Sequence, residues 1–232
     1  MAAARPIGAL VPLLMLAACA TRDDVSNPPV VELRGGTIAY QGGLEASAVE
    51  EVRRLLEAGN RVDTLAISSP GGELNVGMDL GELVHRFGLN VRVTGWGCMS
   101  SCANYVFPAG RTKSIEPGAA VAWHGSAIQK NLGRGLYRLY PPMRRYVREV
   151  RARQAAFYER IGVDARVTIA GHELDCRCVW LLPPEDMQRF GIDDVHVPAD
   201  YGMAQSHWKQ LGLRLIRLAD HPDYAATLRG AR

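Results

Sequence analysis

The stretch from Ile67 to Gly110, ISSPGGELNVGMDLGELVHRFGLNVRVTGWGCMSSCANYVFPAG, constrains this chain more than any other. Thr64–Ser68 reads as a strand, broken by Ser69-Pro70-Gly71-Gly72, because a turn of that sharpness needs glycines at positive φ. Val76, Leu80, Leu83, Val84 and Phe87 recur at helical spacing and predict one apolar stripe of an amphipathic helix. Val91-Arg92-Val93-Thr94 predicts the next strand, ended by Gly95-Trp96-Gly97. Cys98-Met99-Ser100-Ser101-Cys102 then leads into Ala103–Phe107, a short apolar helix stopped by Pro108 and Gly110.

This order has a chemical reading. A strand that ends in two glycines leaves N–H groups approachable by an oxyanion, and a serine opening a buried helix stands at the positive end of its dipole. Neighbouring parallel strands would bring both turns to one sheet edge, the arrangement acyl transfer requires. An ordinary glycine turn and ordinary N-capping serines would show the same residues.

SPGG, a G-x-x-L helix, a V-x-V-x-G strand, a small-residue serine turn and a closing AG together resemble the ClpP peptidase family. That family lies within the wider ClpP/crotonase-like group, which includes signal peptide peptidases, and the Cys-x-Ser-x-Cys variant resembles a periplasmic ClpP-like branch. The resemblance spans roughly Val31 to Val197. It implies an α/β fold, a spiral of ββα units with a long handle-like helix. It also implies Ser–His(–Asp) acyl-enzyme chemistry on a peptide or protein substrate, with no cofactor and no metal.

The nucleophile it implies is Ser101, because nine residues separate Ser101 from Gly110; Ser100 is the rival, and choosing it requires one extra residue in the following helix. The oxyanion hole would use backbone N–H groups of Gly71, Gly72 and Cys102. A general-base histidine is expected about two dozen residues on, and His124 ends the apolar strand Gly118–Trp123 at that distance. Asp175, with Glu173 behind it, is the nearest candidate for the acid, and a Ser–His dyad without it is the alternative. A Lys–Ser dyad through Lys113 or Lys130 is a further option.

The remaining residues frame this stretch. Residues 1–18 read as a signal peptide, and Leu16-Ala17-Ala18-Cys19 is similar to a bacterial lipobox, in which Cys19 would be lipidated; a plain secretory signal is the alternative. Residues 19–29 read as a polar tether, 30–198 as the ClpP-like domain, and 199–232 as a C-terminal docking segment carrying Trp208, Leu211, Leu213, Ile216 and Leu218. The expected location is the periplasm, lipid-anchored to a membrane, the outer membrane favoured because Ala20 follows the cysteine. Exported acyl-CoA chemistry of the crotonase kind fits badly with such an address. A formal net charge of +3 makes no case for nucleic acid.

Val30–Arg34 and Thr37–Tyr40 predict strands around Gly35-Gly36, followed by a helix over Ala46–Glu57. Lys130 to Arg153 carries eight Lys/Arg and one acidic residue, and Pro141-Pro142 can open a helix. Met143, Val147, Val150, Phe157 and Ile161 give that helix an apolar stripe, interrupted by Gln154. It resembles the handle helix that packs ClpP protomers, so residues 142–161 are the expected homo-oligomer surface. Its basic face would suit an anionic partner or be merely solvated. Leu182–Val197 resembles the closing helix and strand of that family.

Cys98, Cys102, Cys176 and Cys178 form an even set, which favours disulfides in an exported chain, zinc being the alternative. In the resembled fold the acid-bearing loop returns to the serine turn, which implies at least one bridge between the Cys98/Cys102 pair and the Cys176/Cys178 pair. The reading that follows is an exported, lipid-anchored ClpP-like serine hydrolase, a peptidase. A non-catalytic scaffold or binding lipoprotein of the envelope is the alternative.

Overall fold

The computed structural model describes residues 28–130, 141–176, 178–202 and 212–228. The signal peptide, Cys19, Trp208 and Leu211 lie outside the described residues.

The chain enters through a hairpin, β1 (Val30–Arg34) and β2 (Thr37–Gln41), paired antiparallel around Gly35-Gly36. From there each strand adds parallel to the one before. β3 (Thr64–Ser69) pairs with β2, β4 (Asn90–Met99) with β3, and β5 (Lys113–Ile115) with β4. β8 (Val195–His196) closes the far edge on β5, and β6 (Val121–Ala122) pairs with the end of β4. The result is a seven-stranded mixed sheet in the order β1-β2-β3-β4-β5-β8, with β6 beside β4. β3 is buried along nearly its whole length, as a parallel strand covered on both faces must be.

Parallel neighbours require crossovers, and the amphipathic helices supply them. α1 (Ala46–Glu57) lays Ala48, Val49, Val52 and Leu56 on the core. α2 (Leu74–Arg86) buries Met78, Leu80, Leu83 and Val84. Its N-terminus is capped by Glu73, whose carboxylate accepts the Val76 N–H at 3.0 Å. Each Leu or Val buried in this way contributes roughly 1.5–3 kcal/mol of transfer free energy.

Two expectations on this stretch need correction. β4 does not stop at Gly95-Trp96-Gly97 but runs on to Met99, with a register shift against β3 between Ile67 and Ser69. The two glycines take positive φ, 58° and 134°, so the strand kinks and resumes instead of ending. Gly97 must be glycine, because a Cβ there would collide with the Ala120 carbonyl. The helix expected over Ala103–Phe107 is a π-helical turn, Cys102–Val106, closed by Phe107 N–H to Cys102 C=O at 3.0 Å. β5 has strand partners on both sides, and the strand expected over Gly118–Trp123 shortens to β6.

α3 (Pro141–Ile161) packs along the bundle with Val147, Val150, Gln154, Phe157 and Tyr158 buried. Arg153 ties it to α2, meeting Asp79 at 2.6 Å and Glu82 at 3.4 Å. After it come a 3-10 turn (Ala165–Thr168), α4 (Ala170–Glu173), β7 (Val179–Leu181) and α5 (Pro184–Arg189). The C-terminal segment docks through β9 (Leu213–Leu215), parallel to β7, and through α6 (Pro222–Leu228). The buried Asp186 carboxylate accepts the Leu218 N–H at 2.8 Å and fixes that return. Among the described residues, no helix is long and apolar enough to cross a membrane.

Candidate active site

The kink in β4 aims its end at β6. Cys98 N–H meets Ala120 C=O at 2.8 Å and Ser100 N–H meets Ala122 C=O at 3.0 Å. Ser100 itself takes φ 56°, a conformation that non-glycine residues rarely adopt and that gathers at functional turns. β6 runs alongside and delivers His124 just past its end. The outcome is a contact of 2.7 Å between Ser100 Oγ and His124 Nε2.

The serine that meets the histidine is therefore Ser100 and not Ser101. Ser101 is 1 % exposed, and its hydroxyl donates to the Gly72 carbonyl at 2.8 Å. The spacing to Gly110 misleads because a π turn holds one residue more than an α turn over the same path. The extra residue that the Ser100 register requires sits in Cys102–Val106.

The glycine turn lies against this serine turn. A Cβ on Gly71 would approach the Met99 carbonyl and Ser100 Cβ to 2.7 Å each, and Gly71 holds φ 92°. Only glycine fits there. The Gly71 N–H is committed to Ser69 Oγ at 3.1 Å. Among the described residues, the N–H groups of Gly72 and Ser101 have no acceptor. With Ser100 as nucleophile, the residue following it is Ser101, so the second donor moves from Cys102 to Ser101.

His124 has an exposed edge, yet partial burial depresses its pKa below the ordinary histidine value. A hydrogen bond with its own backbone works against that, and the neighbouring His172 adds to it. His172 was not anticipated. It packs edge-on to Trp180 and its Nε2 lies 2.8 Å from the His124 carbonyl, so it braces the His124 backbone. Among the described residues, no carboxylate contacts the His124 ring.

Asp175 is exposed, with φ 54°, in the turn between α4 and β7. It lines a cavity of about 640 Å³ with Leu181, Leu213 and Leu215. Glu173 accepts the Tyr224 hydroxyl at 2.9 Å. Neither acid joins Ser100 and His124. Lys113 is placed opposite Val91, at the other end of β4 from Ser100, with its Nζ donating to the Gly110 carbonyl at 2.8 Å. Burial lowers its pKa against the pull of Asp193 and Asp194.

The cysteines pair locally. Cys98 bonds Cys102 and Cys176 bonds Cys178, with Cα separations of 5.3 and 5.2 Å. The long-range bridge implied by the resemblance is absent between these pairs. Its premise was an acid loop returning to the serine turn, and Asp175 does not return there.

Behind the histidine, two buried amides hold the following loop. Asn104 Nδ2 donates to the Gly125 carbonyl at 2.9 Å. Gln154, the break in the apolar stripe of α3, accepts from Ala127 N–H at 3.2 Å and Tyr105 Oη–H at 2.8 Å, and donates to Ser126 Oγ at 3.0 Å. The interrupted stripe was the visible sign of Gln154; nothing in the sequence marked Asn104.

No family model matches the chain, and no curated protein does. Among solved structures, a point mutant of ClpP1 from Listeria monocytogenes is similar at 18% identity. The match covers 72% of this chain and 94% of that one, with a TM-score of 0.48.

Proposed function

We propose that this chain is a serine hydrolase working through a Ser100–His124 dyad, with peptide or protein as the substrate class. The observation that carries the reading is the 2.7 Å contact between Ser100 Oγ and His124 Nε2 at the meeting of two strand ends. His124 takes the hydroxyl proton as Ser100 attacks an acyl carbon, then returns it to the leaving group; water repeats the cycle on the acyl-enzyme. The N–H groups of Gly72 and Ser101 would receive the oxyanion. A depressed pKa keeps His124 neutral at neutral pH, as a base must be.

The ClpP/crotonase-like assignment, with α3 as a handle-like packing helix between copies, belongs to this proposal. So does the envelope address: lipidation at Cys19 in the periplasm, with the outer membrane favoured. Cys19→Ser should release the protein from membranes or leave it unprocessed, and unchanged fractionation and mature mass would remove the anchor from the reading.

The test of the chemistry is labelling by a fluorophosphonate probe with peptide mapping. Ser100→Ala should abolish labelling, and Ser101→Ala should leave it. That no carboxylate among the described residues contacts His124 favours a second reading, a non-catalytic scaffold of the envelope. Wild-type protein that stays folded and never labels would decide for it.

A further inference from the structure

With no carboxylate among the described residues on the His124 ring, something else must hold the histidine in register with the serine. We infer that Asn104 is that positioning residue, a buried amide that ties the turn carrying Ser100 to the turn carrying His124. The inference rests on the reading of Ser100 and His124 as nucleophile and base.

Asn104 touches both turns at once. Its backbone N–H donates to the Ser100 carbonyl at 2.8 Å, and its side-chain Nδ2 donates to the carbonyl of Gly125, the residue after His124, at 2.9 Å. Its own carbonyl accepts the Tyr158 hydroxyl at 2.5 Å, which fixes it to α3. One residue therefore sets the spacing of two segments 21 positions apart in the chain. It does so from within the π turn, whose extra residue shifts the register by one.

A second feature separates this amide from a packing residue. Asn104 is 1 % exposed, and among the described residues its Oδ1 has no hydrogen-bond partner. Buried polar atoms are nearly always paired, and the Nδ2 bond to Gly125 is a polar tie that core packing alone does not explain. Gln154, by contrast, uses both ends of its amide on the same loop. Asn104 is also not poised to touch a substrate. It is buried away from solvent and its Nδ2 holds Gly125, so it acts through His124.

The experiment is saturation kinetics of fluorophosphonate labelling on the full chain carrying Asn104→Leu, which keeps approximate volume and removes the bond to Gly125. The limiting labelling rate should fall roughly a hundredfold, the scale of a small misplacement of catalytic groups, with the half-saturating probe concentration unchanged. Tyr158→Phe, which frees the Asn104 carbonyl without altering shape, should lower the same limiting rate by a smaller factor, roughly threefold to tenfold. Val150→Ala serves as a core variant that removes buried volume but no hydrogen bond, and should label at the wild-type rate once corrected for folded fraction.

Asn104→Leu labelling at the wild-type limiting rate would overturn the proposal. So would a fall no larger than that of Val150→Ala. If Asn104→Leu does not fold, Tyr158→Phe decides alone, and an unchanged limiting rate there overturns it. Wild-type protein that does not label at Ser100 would overturn the hydrolase reading itself and this role with it. Normal wild-type labelling with an indifferent Asn104→Leu would overturn only the role.

Discussion

Two turns of this protein are built alike and placed differently. Cys98–Cys102 encloses Ser100 at φ 56°, and the Cys176–Cys178 turn follows Asp175 at φ 54°. Both hold a polar side chain on a left-handed backbone that costs on the order of 1–3 kcal/mol, and both close with a short disulfide. The first turn stands at the end of β4, in the middle of the main sheet, with both cysteines fully buried. The second stands beside the small β7–β9 sheet, open to a cavity. Only the first faces a partner strand end, and only there does the side chain meet a histidine. A clasped left-handed turn presents a side chain; the sheet decides whether anything is opposite.

The sharpest way to break this comparison is to disable both side chains. Ser100→Ala should remove fluorophosphonate labelling altogether, while Asp175→Asn should change the labelling rate by less than about threefold. A true triad acid made into an amide costs about 10⁴-fold, so a loss approaching that from Asp175→Asn would mean the second turn closes on the first during reaction.

Disulfide removal comes next. Urea titration of Cys98→Ser/Cys102→Ser should show a loss of about 3 kcal/mol, combining the chain constraint with two hydroxyls left in a dry core. Cys176→Ser/Cys178→Ser should lose about 1–2 kcal/mol, because its bond closes a smaller ring nearer to solvent. Equal losses would say that burial does not separate the two turns.

The smallest effect is in pH. Because burial depresses the His124 pKa, labelling should be flat at neutral pH and fall only below the ordinary histidine value of about 6.5. The sign for stability is the same: the unfolded chain takes the proton first, so the contribution of this group is complete above about pH 6.5 and is lost as pH drops. Ser101→Ala should leave the profile in place. An inflection above the ordinary value would mean that an acid supports the histidine after all.

Much of the fold was legible from pattern. The spacing of Val49, Val52, Leu55 and Leu56 located α1 to the residue, although Leu55 is only half-buried, and the SPGG break placed the turn that faces the serine. What escaped was whatever backbone irregularity decides. Gly95-Trp96-Gly97 looks like a strand stop because glycine also makes bulges, and only the pairing of Cys98 with Val121 tells the two apart. Ser100 and Ser101 differ by one position in the count to Gly110, and a π turn leaves no mark in residue type. His172 and Asn104 act through the backbone of their partners, across 48 and 21 positions, which no local motif encodes. Asp175 was sought because a triad needs an acid, not because its surroundings required one.

The nearness of each cysteine to its partner has a consequence for how the chain matures. Four thiols allow three pairings, and only one of them joins nearest neighbours along the sequence. Cysteines four and two residues apart stay within reach of each other in the extended chain, so two successive oxidations form the final bonds without waiting for the sheet. The sheet, with its parallel neighbours brought together from far apart, can then assemble without any bond having to be broken and remade. Recovery from full reduction and denaturation should therefore proceed as well without a disulfide isomerase as with one.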